Sequence, residues 1–473
     1  MALATTLGEL RAAGYPDRTV KQEMRANLLG RLAFGRPPWP SIVGYEETVI
    51  PTLERAILAG HDVIMLGERG QAKSRLIRHL GELLDESVPA IEGCELHDHP
   101  YRPICTRCRS LVAAEAGATP VVWIERNLRY SEKLATPDTS VADLIGDVDP
   151  IRVAEGRYLS DDLTIHFGLV PRTNRGIFAV NELPDLPERI QVALLNILEE
   201  RDVQVRGYKI RLPLDLMLIA SANPDDYTHR GRIISPLKDR FGSQVRTHYP
   251  QRLDDEIEIM EQEASLLPGG APVRVPRHLT EVIASLTAEL RTSPSVNQRS
   301  GVSVRFSIGA LETLAASALR RAVTRGEQEA VPRPVDLWAI LPAVIGRIEF
   351  DALDEGREPE VLERALGAAM LQVWRRRIGS EDFRALLERF EEGLEVETSD
   401  GLGAGELLAQ LGSSDLSAFP LERVTKRLGV TEESPAAVAG ALEFCLEGLH
   451  LTRRLNKDEG RAPGTWTFSN GSR

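Results

Sequence analysis

The sequence lacks most of what would tie a protein to a bilayer, an export route or a nucleic-acid backbone. No apolar run approaches the ~20 residues of a membrane span, and the N-terminus has no basic start followed by an apolar core and a cleavage site. Both absences point to the cytosol. Cysteine is scarce: there are four in 473 residues, three of them between positions 94 and 108, which does not make a secreted disulfide framework. Positive charge is in deficit, and a net charge of −13 argues against broad binding to phosphate backbones, whose affinity comes from clustered Lys and Arg. A local basic patch is still compatible with that balance. Internal repeats are absent as well.

What remains is a chain of ordinary globular composition, 42% hydrophobic and 27% charged, long enough for two or three domains with their own cores. Its organising stretch is 63–74. Val63 to Leu66 suit a buried strand. The following Gly67-Glu68-Arg69-Gly70-Gln71-Ala72-Lys73-Ser74 keeps the phosphate-cradling pattern G-x-x-x-x-G-K-[ST] except that Ala72 replaces the second glycine. In such a loop backbone N–H groups wrap phosphates, Lys73 brings a point charge to the outer phosphates, and the Ser74 hydroxyl ligates magnesium at a helix N-terminus. Apolar residues at Leu76, Ile77, Leu80, Leu83 and Leu84 give the helix that must follow.

Before the loop, 20–34 is a short amphipathic helix candidate, 36–40 a Pro-rich break and 46–58 a helix. After it, Cys94, Cys105 and Cys108 with His97 or His99 put four soft or borderline ligands within fifteen residues. That set predicts a structural Cys₃His zinc site clipping a polar insertion with little core of its own. The plainer reading is reduced, partly buried thiols and two exposed histidines. Cys445, alone in 436–449, reads as core.

The next strand is predicted at 120–125, and an apolar strand at 176–180 ends in Asn181-Glu182. Nucleotide hydrolases normally carry Asp-Glu there, the first residue holding the magnesium shell and the second polarising the attacking water. Asn181 can accept from a magnesium-bound water but brings no charge; Glu182 is available as base. A third apolar strand at 216–220 leads to Asn223, placed to orient a water near the terminal phosphate. Arg240 ends a short helix, and Arg305 opens a helical run at 307–321.

Together, residues 41 to about 345 resemble the AAA+ ATPases of the helix-two-insert group, in particular the magnesium chelatase ATPase subunit and the MoxR family. The resemblance rests on Ile42-Val43-Gly44, the 67–74 loop, Gly168-Leu169-Val170 through Asn174-Arg175-Gly176-Ile177, Asn181-Glu182, Ser221-Ala222-Asn223-Pro224 and Leu237-Lys238-Asp239-Arg240-Phe241. It implies an α/β P-loop core with a helical lid, ATP and Mg²⁺ as ligands, and Glu182 as catalytic base. It also implies Asn223 as first sensor, Arg240 as an arginine finger acting on the neighbouring subunit's ATP, and Arg305 as second sensor. A finger acting in trans implies a ring, a hexamer by the family pattern. Relatives work beside a von Willebrand factor A partner, and since the Asp-x-Ser-x-Ser signature is absent here, such a partner is a separate polypeptide. The Gly-Ala-Phe-Thr-Gly-Ala loop of enhancer-binding activators is absent too.

The expected domains are an N-terminal helical extension at 1–40 and a nucleotide-binding core at 41–250 with a Cys/His insertion at 90–112 and a helix-two insert at 146–173. A lid at 251–350, a helical extension at 351–398, a linker at 399–405 and a small α+β module at 406–473 follow. Two helices and a hairpin in that module suit a winged helix, with its short basic stretch at 453–457 favouring protein over DNA as its contact. The function implied is remodelling of a partner protein by ATP hydrolysis, with metal or cofactor insertion as one form of it. The rivals are a nucleotide-gated scaffold, for which Asn181→Asp should raise turnover steeply, and a magnesium chelatase subunit proper.

Overall fold

A computed structural model describes residues 3–470 except 36–38, 149–164, 201–202, 206–207, 211, 224–231, 268, 298–299, 352–353, 355, 412–418, 431–433 and 461–463. The chain divides into two compact units, 1–248 and 249–473. Among the described residues no helix is long and apolar enough to cross a membrane.

The first unit is built on a five-stranded parallel sheet. Its strands are β1 (Val63–Leu66), β4 (Tyr130–Leu134), β7 (Gly176–Asn181), β10 (Leu216–Ala222) and β11 (Ser243–Arg246), in the order β11-β1-β10-β7-β4. β1, β7 and β10 are buried at every position, as strands covered on both faces must be. One apolar cluster lies on each side of them. Leu76, Ile77 and Leu80 of the helix Lys73–Leu80 pack with Val63, Met65, Ile177 and Ile219, while Phe178, Val180 and Leu218 pack with Leu186, Ile190 and Leu194.

The strand predicted at 120–125 forms, but outside this sheet. β3 (Val121–Glu125) pairs antiparallel with β2 (Ser87–Ile91), so the two frame the cysteine insertion as a ribbon. The sheet's outer strand is β4, half-buried from Tyr130 to Lys133 with Leu134 exposed. An edge strand makes one ladder and tolerates polar side chains, so apolar content did not mark β4. Of the expected insert at 146–173, the two ends pair as β5 (Gly146–Val148) and β6 (Ile165–Phe167); 149–164 lie outside the described residues. A further two-stranded ladder joins β8 (Val203–Val205) to β9 (Tyr208–Ile210).

The N-terminal stretch is part of this unit. Leu7 N–H donates to the Thr119 carbonyl and Val121 N–H to the Thr5 carbonyl, extending the ribbon by a short edge. The helix Val20–Ala33 inserts Glu23 into the interior, where its carboxylate takes a two-pronged pair from the fully buried Arg129 at 2.7 and 2.8 Å.

In the second unit, the stretches expected as lid, extension and small module share one apolar core running from Ile257 to Phe468. The expected linker is a tied turn: Arg333 donates to the carbonyls of Ser399 (2.8 Å) and Leu402 (2.7 Å), and Arg325 to that of Gly401 (2.5 Å). Gly-rich composition here marks a tight turn between β12 (Val396–Ser399) and the helix Ala404–Ala409. The helices Leu421–Leu428 and Pro435–Leu451 precede the antiparallel hairpin β13 (Leu455–Glu459)–β14 (Thr465–Asn470), and β14 also pairs with β12. Cys445 is fully buried in this core.

Two outcomes follow for stability. Glu23→Ala leaves the Arg129 charge buried without its partner, and is expected to cost about 3–5 kcal/mol, measured on the unfolding transition of the first unit. In the second unit His278 is buried with its ring centroid 4.8 Å from that of Phe444. Burial holds its pKa down to about 3, Glu281 opposing and Arg377 assisting. An unfolded imidazole titrates near ~6.5, so the unfolded chain binds the proton first. This contribution is whole above that pH and lost as pH falls toward 3, about 2 kcal/mol between pH 7 and 5. His278→Leu should flatten that part of the stability–pH curve.

Candidate functional site

Parallel register brings the C-terminal ends of β1, β10 and β7 side by side. Leu66 lies opposite Ala222, and Ala220 opposite Val180, so the 67–74 loop, Asn223 and Asn181-Glu182 leave the sheet along one edge. Ligands of open α/β sheets bind at that edge. The Gly67 N–H donates to the Ala222 carbonyl, fixing the loop to β10.

The loop has the conformation its pattern requires. Ala72 sits at φ +53° and ψ 15°, the left-handed region, just before the helix Lys73–Leu80. The glycine usual at this point would adopt that backbone freely; alanine holds it at a cost of about 1 kcal/mol. Gly67 cannot carry a side chain, since a Cβ there would stand 1.9 Å from Thr247 Oγ1. Gln71, expected among the nucleotide-binding residues, turns its side chain inward. Its Oε1 accepts from Glu68 N–H (3.0 Å) and Thr247 Oγ1 (2.8 Å), while Tyr45 OH donates to its backbone carbonyl at 3.0 Å. The Gln71 side chain is thus a brace for the loop. Lys73 is buried, and its ammonium donates to the carbonyls of Gly67 (2.5 Å) and Glu68 (2.7 Å), curled over the loop it would share with phosphate. Glu68, Arg69 and Gly70 complete the loop, Gly70 at φ +76°.

At the end of β7, Asn181 is held by three groups. Its Nδ2 donates to Glu132 Oε1 at 2.5 Å; its Oδ1 accepts from Ser221 Oγ at 3.1 Å and from Ser74 Oγ at 3.5 Å. Glu132 accepts only through its carboxylate, so it fixes which way the amide points: nitrogen to β4, oxygen to Ser74. Burial works against ionising Glu132, but hydrogen bonds and charge from Arg78, with Tyr130 and Asn181 assisting, hold its pKa below the usual carboxylate range. Glu182 follows at φ +56°, ψ 50°, a left-handed backbone for a bulky residue, and its N–H donates to Ser221 Oγ at 3.2 Å. Strain of this kind, of order 1–3 kcal/mol, gathers where surrounding structure forces a functional side chain into place.

Glu132 and Ser221 were not singled out in the sequence. Ser221 stood inside a motif without a role; Glu132 carried no signal, because its half-polar edge strand was not predicted. Asn223, nine-tenths buried or more, stands just past β10. Arg240 ends the helix Ser235–Arg240, half-exposed, and pairs with Glu199 at 2.6 Å. Arg305 lies in the second unit, in the first turn of the helix Val304–Arg325, where its N–H donates to Ser303 Oγ. Its expected part in the nucleotide site rests on the sequence pattern alone. Pro224 lies outside the described residues.

In the insertion, the three expected cysteines converge, and neither histidine joins them. The fourth donor is Asp98: with Cys94, Cys105 and Cys108 its ligand atoms all lie within 4.8 Å of one another. His99 Nδ1 accepts from Tyr101 N–H, and burial lowers its pKa to about 3. His97 has a left-handed backbone at φ +49°.

The chain matches the family described as the sigma-54 interaction domain over residues 155–237. It is 27% identical over 229 residues to the magnesium-chelatase 38 kDa subunit of Rhodobacter capsulatus, covering 48% of this chain and 60% of that one. With the corresponding subunit of Cereibacter sphaeroides it shares 29% over 231 residues, 47% and 62% of the two chains. The chain thus spans about three-fifths of the length of these relatives. Among solved structures, one described as the complex between subunits BchI and BchD of magnesium chelatase matches at 21% identity, covering 70% of this chain and 98% of that one with a TM-score of 0.35. The chain is thus related to the magnesium-chelatase subunits, and its parallel sheet with the phosphate-type loop has the AAA+ fold.

Proposed function

We propose that this protein binds ATP with magnesium at the sheet edge, hydrolyses it, and uses the cycle to remodel a partner protein. The observation that carries the reading is the meeting of Lys73, Ser74, Asn181, Glu182 and Asn223 at the ends of three adjacent parallel strands. Lys73 faces the outer phosphates, and Ser74 Oγ with Asn181 Oδ1, 3.5 Å apart, would hold the magnesium shell. Magnesium, when bound, neutralises charge on the phosphates. Glu182 takes the proton of the attacking water and Asn223 orients that water. The exposed Arg240 serves a neighbouring subunit's ATP in a ring, a hexamer by family pattern. The magnesium-chelatase kinship suggests a separate von Willebrand factor A protein as partner and metal or cofactor insertion as one form of the work.

A second reading, an ATP-gated scaffold that hardly turns over, is favoured by the missing charge at Asn181. Glu132 bears on it. Its carboxylate, itself paired with Arg78, stands one hydrogen bond behind the Asn181 amide, so the neutral residue is held in orientation. This alters what Asn181→Asp would do. Two carboxylates at 2.5 Å cannot both ionise, so that change alone is expected to leave magnesium-assisted ATP affinity unimproved at neutral pH and to make it pH-dependent. Asn181→Asp with Glu132→Gln should raise it. Fluorescent-nucleotide titrations with and without magnesium across pH decide this, and a steep, pH-independent gain from Asn181→Asp alone would remove Glu132 from the account.

The main reading is tested by steady-state hydrolysis with and without magnesium. Glu182→Gln should cut kcat about 10²–10⁴-fold while ATP stays bound, and Arg240→Ala about 10³-fold with binding kept. Lys73→Ala should weaken binding about tenfold or more. Unchanged affinity in the Lys73 variant would sink the nucleotide site.

A further inference from the structure

We infer that Cys94, Asp98, Cys105 and Cys108 form a structural metal site for a single zinc-like ion, with a carboxylate where sequence spacing suggested an imidazole. Tetrahedral zinc with bonds of ~2.3 Å to sulfur has ligand–ligand edges of about 3.8 Å. Four donor atoms lying within 4.8 Å of one another are close to that shell and need only a small contraction. An iron–sulfur cluster would place iron and sulfide between the thiolates and hold them farther apart. The donor set, soft thiolates with one oxygen, suits zinc, and all four positions come from the chain, as in closed structural sites.

The second observation is the state of Asp98. Its side chain is fully buried; Oδ2 accepts from the N–H groups of Ile104 and Cys105, both at 2.9 Å, while Oδ1 is buried with no hydrogen-bond partner. A buried carboxylate oxygen left without a donor is costly, and a cation among the three sulfurs removes that cost. The surroundings are arranged for negative sulfur. Asp98 N–H points to Cys94 Sγ (3.5 Å), Cys108 N–H to Cys105 Sγ (3.3 Å) and Arg107 Nη1 to Cys108 Sγ (3.8 Å). Cys105 is also the N-cap of the ten-residue helix Thr106–Glu115, whose dipole favours anionic charge there. The histidine rings lie outside this cluster, and His99 Nδ1 accepts from Tyr101 N–H.

The ion would do more than close a loop. The segment it clips gives the Leu96 carbonyl to Asn174 Nδ2 at 2.8 Å, and Arg175 Nη1 also donates to the Pro89 carbonyl at 2.6 Å. Asn174 and Arg175 lead into β7, the strand that ends in Asn181. The metal therefore stiffens the outer wall against which that strand is laid. This inference stands apart from the nucleotide reading and fails or survives separately from it.

The test is metal analysis of the full-length wild-type protein, purified under reducing conditions. About one zinc per chain is expected, with release by chelator exposing three thiols to a thiol reagent and lowering the unfolding temperature. Cobalt(II) exchanged into the site should give thiolate charge-transfer absorption. Asp98→Ala should weaken zinc affinity at least about tenfold, and Cys105→Ser with Cys108→Ser should abolish it. His97→Asn with His99→Asn should retain the full zinc content. Because the cysteine variants could misfold, the chelator titration of wild type is the deciding measurement. A stably folded, metal-free wild type that takes up neither zinc nor cobalt overturns the site, as does a disulfide among the three cysteines in the native protein. Zinc lost in the histidine variant and undiminished in Asp98→Ala overturns the ligand set.

Discussion

The first unit depends on one buried guanidinium. Arg129 is almost wholly removed from water, and its donors are spent on two groups: the Glu23 carboxylate, and the Arg175 carbonyl, which takes both Nε (2.9 Å) and Nη2 (2.7 Å). A buried charge is tolerable only with this degree of pairing and hydrogen bonding. Each partner brings a different part of the chain with it. Glu23 brings the N-terminal helix and also accepts from Asp85 N–H, at the end of the helical segment after the loop. Arg175 brings the entry to β7 and, through its own side chain, the cysteine insertion. Its N–H and Asn174 Oδ1 in turn bond Asp215 just before β10. Gly176 must be glycine for this to close, since a Cβ there would lie 1.9 Å from the Arg129 carbonyl oxygen. Extension, insertion and two central strands are thus referred to one point at the sheet end opposite the nucleotide edge.

That distribution explains how a neutral Asn181 can sit where a carboxylate is usual. The amide is set by its neighbours: Glu132 holds the nitrogen, and Ser221 and Ser74 approach the oxygen. Glu132 is in turn held by Arg78, which comes from the helix that begins at Lys73. The negative charge has moved one strand outward and is bound to the same helix that presents the loop. Charge near the metal shell is weaker for this, but the geometry is tied more firmly to the position of the loop.

Much of this was legible in the sequence because it is local. The 63–74 stretch carries strand, loop and helix in one contiguous pattern, and its exception, Ala72, proves to occupy the left-handed position that the pattern's glycine serves. Asn181-Glu182 and Asn223 were legible for the same reason: each ends an apolar strand buried on both faces. What escaped was non-local. A half-polar edge strand carries little apolar signal, so Tyr130–Leu134 was passed over, and Glu132 with it. Cysteine spacing found the insertion, but which side chain between Cys94 and Cys105 turns inward depends on backbone: left-handed His97 turns the chain so that Asp98 faces the sulfurs. Gly-rich 399–405 read as a linker because the two arginines that tie it, Arg325 and Arg333, lie more than sixty residues away.

Two non-glycine positions in left-handed backbone, Ala72 and Glu182, flank the nucleotide edge, and neither strain is local in origin. Ala72 is held by a loop whose other side is fixed by Gln71, Thr247 and Tyr45; Glu182 is held by the Ser221 hydroxyl and the 3₁₀ turn Leu183–Asp185. Thr247 belongs to the chain leaving β11, and Ser221 to β10. The backbone that presents Lys73 and the backbone that presents Glu182 are therefore both set by strands other than their own. Strain kept this way is released if those strands shift relative to β1 and β7, so the sheet is a constraint on the site as well as its support. A change that loosened the β10 end would relax Glu182 and Asn181 together, through the one hydroxyl they share.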